Sequence, residues 1–342
     1  MMDLQIDQTG SLSWLLQSGS PGVRFLAMRD LLDLPPDYPD LTAARRQAYL
    51  SGPIAEVLAA MDPAGFWAAP GPGYNPKYRA SVWSLILLAQ LGASAADDER
   101  IASACAYLLD HALTPNGQFS MSGAPSGTID CLQGNLCAAL LDLGVTDARL
   151  DAAFEWMARS VTGEGVAPAS ESKAQLRYYA SNCGPLFACG GTSGLPCAWG
   201  AVKVMLAFSH LPHERRTPLI ERAIAQGVEF LLSIDPAQAM YPQASGRPSG
   251  NWWKFGFPVF YVTDILQIVE VLAALGFGGA PRLTSAIQCV KEKQDAQGRW
   301  MLEYDYTGKT WVDFGPKKQP NPWVTLRALR ALKLAGQWKY SG

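Results

Sequence analysis

Two aspartates stand at the heads of strongly apolar segments: Asp130 in TIDCLQGNLCAALLDLG, and Asp264 in FYVTDILQ behind Phe255, Phe257, Phe260 and Tyr261. A carboxyl so placed has two uses. It can cap the helix that follows by accepting from free first-turn amides. Alternatively, desolvation or a second carboxylate raises its pKa, and it keeps a proton at neutral pH and serves as an acid. The sequence leaves both open for Asp130 and for Asp264. Cys131 adjoins the first, and Cys183, Cys189 and Cys197 share a Gly-rich loop. The cysteines number seven, without a C-x-x-C pair, so reduced thiols are expected, most of them small buried hydrophobes. Lys77, Arg79, Lys173, Arg177, Lys254, Lys309, Lys317 and Lys318 fall in or beside the loops ahead of apolar helices. They would suit a diphosphate or simply face solvent. Arg79 and Lys254, set amid aromatics, are the two favoured for substrate binding. Trp83, Trp252, Trp253, Phe257, Tyr261 and Trp311 are candidates to line a cavity in which ring faces attract a cation, or else are packing pins.

The elements that must position these residues repeat. Apolar segments stop in similar ways at LLDLP (31–35), LAQLG (ending at 92), LLDLG (140–144), AFSHLP (207–212), LAALG (272–276) and LKLAG (332–336). Successive stops are roughly 52 to 68 residues apart, about two helices and two connections. Leu132, Leu136, Leu140 and Leu143 fall on one helical face, and the other faces of that segment are also small or apolar. Such helices are shielded on both sides and are read as inner helices. Between them 42–61, 97–111, 148–160, 214–233 and 281–294 carry one charged face and are read as outer helices. A closed ring buries inner faces that a flat array would expose. The expectation is therefore an all-α fold, a single α/α toroid spanning residues 1–342, with about six helical hairpins and roughly 11–12 helices. The inner-helix N-termini, fed by long loops rich in Gly, Pro and aromatics, would form its mouth. Helix N-termini favour an anionic group and aromatic faces an apolar or cationic one, a pairing that suits an isoprenoid.

Gln294-Asp295-Ala296-Gln297-Gly298-Arg299-Trp300 satisfies a Q-x3-G-x-W pattern, with degenerate copies in MDPAGFW (61–67) and LTPNGQF (113–119) and weaker echoes near Gly163 and Asp235. The pattern resembles the repeats of squalene–hopene and oxidosqualene cyclases and, more weakly, of protein prenyltransferase β subunits, the α/α-toroid superfamily. With the helix series, the resemblance covers nearly the whole chain. Asp130-Cys131 resembles the start of the D-C-T-A-E acid motif of oxidosqualene cyclases, with Leu132, Gln133 and Gly134 in place of the remainder. It implies Asp130 as proton donor for an acid-initiated, class II-like cyclisation, assisted by neighbouring cysteines such as Cys131. The D-x-D-D motif of squalene–hopene cyclases and the Asp/Glu-rich magnesium motifs of class I terpene synthases are absent. The prenyltransferase likeness implies a zinc-dependent prenyl or alkyl transferase instead. There, Asp and a Cys two residues later share zinc with a distant His, whereas Asp130 and Cys131 are adjacent, and His210 and His213 sit at the far end of an inner helix. The C-x5-C and C-x7-C spacings of Cys183, Cys189 and Cys197 are no zinc signature either. No cofactor is expected, with zinc held as the minor alternative.

A net charge of −2 argues against nucleic acid as partner, and 49% hydrophobic with 17% charged residues marks a chain with a large interior. MMDLQIDQTGSLSW lacks the basic and apolar regions of a leader, and no apolar run is long enough to span a bilayer. A cytoplasmic protein with a hydrophobic, isoprenoid small molecule as partner is expected; peripheral membrane contact stays open. A non-catalytic toroid holding a lipid or a protein is the third reading. A carbohydrate-active barrel using Glu303 and Asp305 ranks below it.

Overall fold

The computed structural model describes residues 10–340. The first nine residues, with most of the segment read above for a leader, and the last two lie outside the described residues. The helices in chain order are α1 (Ser11–Leu16), α2 (Pro21–Asp30), α3 (Pro39–Leu50), α4 (Pro53–Ala59), α5 (Ser81–Gln90), α6 (Glu99–Ala112), α7 (Asp130–Asp142), α8 (Arg149–Thr162), α9 (Ala198–His210), α10 (Pro218–Leu231), α11 (Ile265–Leu272), α12 (Thr284–Glu292) and α13 (Pro322–Leu334). Short 3-10 turns, a π-helical turn at Ala273–Phe277 and isolated bridges accompany them, with no strands among the described residues. The fold is all-α, and among the described residues no helix is long and apolar enough to cross a membrane.

Every inner helix read from the stops is present, as α2, α5, α7, α9, α11 and α13. Two-sided apolarity has the expected consequence: in α5 all residues but Gln90 are buried. By contrast α6 buries one stripe, Ile101, Ala104, Cys105, Leu108, Leu109 and Ala112, as a surface helix does. The outer segment expected over 42–61 is broken into α3 and α4, because Gly52 takes a φ of +86° and Pro53 then opens a new helix.

The chain forms two compact units. One comprises 61–249 with 259–263; the other comprises the described residues up to 60, 250–258 and those from 264 on. In the first, α5, α7 and α9 pack in a row, with α6, α8 and α10 against them. Gly134 sets the α7–α9 distance, since a Cβ there would lie 2.3 Å from the Lys203 carbonyl oxygen. In the second unit α11, α13 and α2 form the row, with α12 on α11 and α3 on α2. First and last inner helices therefore touch. Arg330 of α13 ion-pairs with Asp30, and Lys333 donates to the Asp30 carbonyl at 2.8 Å and to the Asp33 carboxylate at 2.5 Å. Burial pushes the Asp30 carboxyl up, but Arg330 and Arg29 more than offset it and hold the pKa below its ordinary value.

The repeated turn has a repeated mechanism. In the turns at 62–67, 114–119 and 295–300, the amides of Asp62, Thr114 and Asp295 donate to the carbonyls of Phe66, Gln118 and Arg299. Gly65, Gly117 and Gly298 take a positive φ in between. The aromatic that follows, Trp67, Phe119 or Trp300, is fully buried. Its amide donates to a side chain in the first turn of the next inner helix: Ser81 Oγ at 3.1 Å, Gln133 Oε1 at 2.6 Å and Thr325 Oγ1 at 3.0 Å. The motif thus locks each outer-to-inner turn onto the head of the helix it feeds.

Gly117 is the tightest such point: its φ is +84° and a Cβ would sit 2.1 Å from the Ala152 carbonyl oxygen. Gly117→Ala should cost about 3 kcal/mol or more in urea unfolding. Gly19→Ala, in open space, should stay within about 0.5 kcal/mol.

Candidate active site

Asp130 is the first residue of α7, yet it does not cap it. The cap position is Ile129, and no side chain accepts from the first-turn amides. The carboxyl instead turns into protein. Its residue is 7% exposed, α9 covers it so closely that a Cβ on Gly200 would be 3.4 Å from its own Cβ, and Oδ2 is buried without a hydrogen-bond partner. Burial is the main cause that raises its pKa, to about 7; hydrogen bonds from the Cys183 thiol and the Gly184 amide pull it down, and the charge of Cys189 pushes it up. Of the two uses open to this residue in the sequence, helix capping is the one the geometry removes.

Cys183 sits in a small core of Trp156, Val166 and Tyr178. Ser160 Oγ is 3.1 Å from its sulfur, and the Tyr178 hydroxyl donates to the Ser160 carbonyl at 2.8 Å. Burial, then the Asp130 charge, drives this thiol well above its ordinary value, so it stays an S–H beside the acid. Cys131, the next residue along α7, is pushed up to about 12 by burial and by Asp130, with buried Lys203 of α9 opposing. Cys189 and Cys197 lie on the arms of a short hairpin closed by the Ala188–Pro196 bridge.

An aromatic group adjoins this end of α7. Tyr78 stacks on Phe260 and Tyr261 at centroid distances of 5.4 and 6.4 Å. Trp83 meets Tyr74 and Tyr78 at 5.2 Å and Phe260 edge-on at 5.4 Å. Lys77 Nζ lies over the rings of Tyr74 and Tyr261 at 5.4 and 5.1 Å, a cation held on ring faces. Two polar residues inside apolar helices hold the 259–263 segment in place. Gln90 pairs with both the amide and the carbonyl of Val259 at 2.8 Å, and Asn135 donates to the Phe260 carbonyl at 3.3 Å. Burial raises the Tyr74 hydroxyl pKa, Lys77 opposes, and Cys131 and Tyr261 add to the rise, which ties the aromatic group to the Asp130–Cys131 corner.

Asp264 has a different job from that of an acid. It caps α11, with Oδ1 accepting from the Gln267 amide at 2.8 Å and from Arg327 Nη2 at 3.1 Å. Oδ2 accepts from Arg327 Nη1 at 3.1 Å and from the Gly256 amide at 3.4 Å. Arg327 also donates to the Gly256 carbonyl at 2.6 Å. These four hydrogen bonds make Asp264 one partner of a buried ion pair with Arg327.

Of the residues named from sequence, Asp130, Cys131, Cys183, Trp83 and Tyr261 are brought together in the unit of 61–249 and 259–263, joined there by Tyr74, Tyr78 and Phe260. Arg79 belongs to the same unit but is exposed. Asp264, Phe257, Trp252, Trp253, Lys254 and Trp311 belong to the other unit. There Phe257 stacks on Trp323 at 4.8 Å, Trp252 is buried, and Lys254 is exposed. Among the described residues no group of three or more His, Cys, Asp or Glu is placed to hold a metal ion. Sequence reasoning passed over Ser160 and Lys203. Lys203 carries a signal, a cation inside the apolar AWGAVKVMLAF; Ser160 has none.

No family model matches the chain, and no curated protein does. Solved structures similar to it include the type II terpene cyclase MstE from Scytonema without ligand, at 16% identity and a TM-score of 0.44, covering 96% of this chain and 99% of that one. A variant of MstE with its product merosterolic acid A is similar at 15% identity and a TM-score of 0.44, and one with its substrate geranylgeranyl dihydroxybenzoate at 16% and 0.44, both with the same coverage.

Two stability predictions follow from the carboxyls. Arg327→Met removes one partner of a buried ion pair and should lower unfolding free energy by about 3–5 kcal/mol. For Asp130 the folded pKa lies above the unfolded one, so the native state binds the extra proton. The associated stability is complete below the unfolded value near 4 and is lost as pH rises to about 7. Asp130→Asn should therefore match wild type near pH 4 and exceed it by a few kcal/mol at pH 8 in urea titrations.

Proposed function

We propose that the protein is an isoprenoid-handling enzyme, a terpene cyclase-like isomerase or lyase, in which Asp130 starts a class II-like cyclisation by protonating an alkene. The observation that carries the reading is the buried, uncapping carboxyl of Asp130 with Oδ2 unpartnered. A carboxylic acid whose pKa is about 7 still carries its proton on much of the population at neutral pH, and an oxygen with no partner has that proton to give.

The residues around it fit the same step. Proton transfer from Asp130 to a terminal double bond forms a C–H bond, leaves a carboxylate, and places positive charge on the adjacent carbon. The Cys183 thiol, backed by Ser160, hydrogen bonds to the carboxylate as charge develops on it. The positive carbon is then attacked by the next double bond of the chain, and loss of a proton ends the sequence. Ring faces of Trp83, Tyr78, Tyr261 and Phe260 each stabilise a cation by roughly 0.5–2 kcal/mol. An aliphatic isoprenoid chain is the substrate class that uses both features. No metal takes part in this proposal. Asp264 has no place in the chemistry.

Incubation with linear polyprenes, free or bearing a diphosphate or aromatic acid head group, in heavy water should give cyclised product carrying one solvent deuterium. Above about pH 7 the rate should fall about tenfold per unit as Asp130 loses its proton. Asp130→Asn should abolish turnover while the protein stays folded; full turnover in that variant refutes the assignment.

A further inference from the structure

The loop that feeds α5 holds a cation on rings that the cyclisation proposed above assigns to a carbocation. Three hydrogen bonds fix this loop to the head of α5: the Val82 amide donates to the Gly73 carbonyl at 3.0 Å, Trp83 Nε1 to the Tyr74 carbonyl at 2.7 Å and Ser84 Oγ to the Arg79 carbonyl at 3.1 Å. Lys77 stands on the loop and is exposed. Its Nζ is 5.4 Å from the centre of the Tyr74 ring and 5.1 Å from that of Tyr261. Those rings belong to the group of Tyr78, Trp83 and Phe260, which Asn135 ties to α7 through the Phe260 carbonyl. Residues 63–96 and 259–263, the segments that build the group, contain no Asp or Glu. Among the described residues no carboxylate pairs with Lys77.

We propose that Lys77 and the Tyr261 hydroxyl bind an anionic head group of the substrate, a carboxylate or phosphate oxyanion carried at one end of the isoprenoid chain. Charge supplies the first argument. An ammonium on these ring faces repels a carbocation formed beside them, and an oxyanion seated on Nζ cancels that repulsion. Hydrogen bonding supplies the second. The Tyr78 hydroxyl donates to the Tyr261 oxygen at 3.1 Å, which uses one of the pair's two hydrogens and leaves the Tyr261 O–H for another acceptor. An ammonium and a phenolic O–H on one ring offer donors with no acidic neighbour to occupy them, and an oxyanion is the acceptor that satisfies both.

The placement gives the bound chain a direction. Lys77 is exposed and Asp130 is buried, so a chain that reaches both keeps its head group outward and presents an alkene far from that head group to the acid. Charge at the head stays wet, and the apolar chain takes the aromatic faces. A neutral polyprene has no counterpart for Lys77 and lacks this anchor. The identity of the chain as an isoprenoid rests on the function proposed above, whereas binding of the oxyanion does not require Asp130 to deliver a proton.

The test measures equilibrium binding of geranylgeranyl diphosphate, geranylgeranoic acid and geranylgeraniol to the full chain by tryptophan fluorescence, each below its micellar concentration. Wild type should bind the diphosphate or the acid at least about tenfold more tightly than the alcohol, and the tighter of the two anions identifies the oxyanion. Lys77→Gln should erase the preference while keeping the wild-type unfolding midpoint, Lys77→Arg should retain most of it, and Tyr261→Phe should reduce it several-fold. Asp130→Asn should leave it unchanged. Equal affinity for all three ligands in wild type, binding of none of them, or a preference that survives Lys77→Gln overturns the site. A Lys77-dependent preference without any cyclised product contradicts the proposed reaction and leaves the head-group site standing. Cyclisation of neutral polyprenes with no preference for the anions does the reverse.

Discussion

The account depends on one buried carboxyl. A carboxyl taken out of water either finds a cation and several donors, and is ionised, or lacks them and keeps its proton. This chain contains both solutions at equivalent places, the heads of two inner helices. Asp264 has Arg327, two backbone amides and a capping duty. Asp130 has a thiol, an amide, and an oxygen with nothing. The same residue type thus caps α11 in one unit and, one position further into its helix, leaves α7 uncapped in the other.

The surrounding architecture accounts for that difference. Three hairpin turns anchor α5, α7 and α13, each by an aromatic amide bonded to the helix's first turn. In α7 the bond falls on Gln133, which also donates to the Gly117 and Ala153 carbonyls at 2.8 and 3.3 Å. Gly134 brings α9 against α7 backbone to backbone, and Gly200 lets the first turn of α9 lie on the acid. Gly134 and Gly200 thus let α9 close over the Asp130 carboxyl and keep water from it.

Much of this was legible in the sequence, for local reasons. Inner helices show themselves by being apolar on both sides. The turns show themselves because a left-handed glycine followed by a buried aromatic is a requirement met within seven residues of chain, and the all-α fold follows from both. Asp130 and Cys131 could be singled out, but whether the carboxyl capped α7 could not be decided, because the answer lies in Cys183, Gly184 and Gly200, which come from a loop and a helix far along the chain. The ion pair of Asp264 could not be read at all, because its partner, Arg327, is 63 residues away and belongs to another inner helix. Local periodicity reports elements; the protonation state of a buried group reports what several elements do together.

The most direct test of the central claim follows the carboxyl itself. Infrared titration of the reduced protein, with Asp130 labelled through its difference from Asp130→Asn, reads the protonated form without reference to substrate. The account predicts half-ionisation near pH 7. Half-ionisation near pH 4, the ordinary value for an aspartate in water, would contradict it.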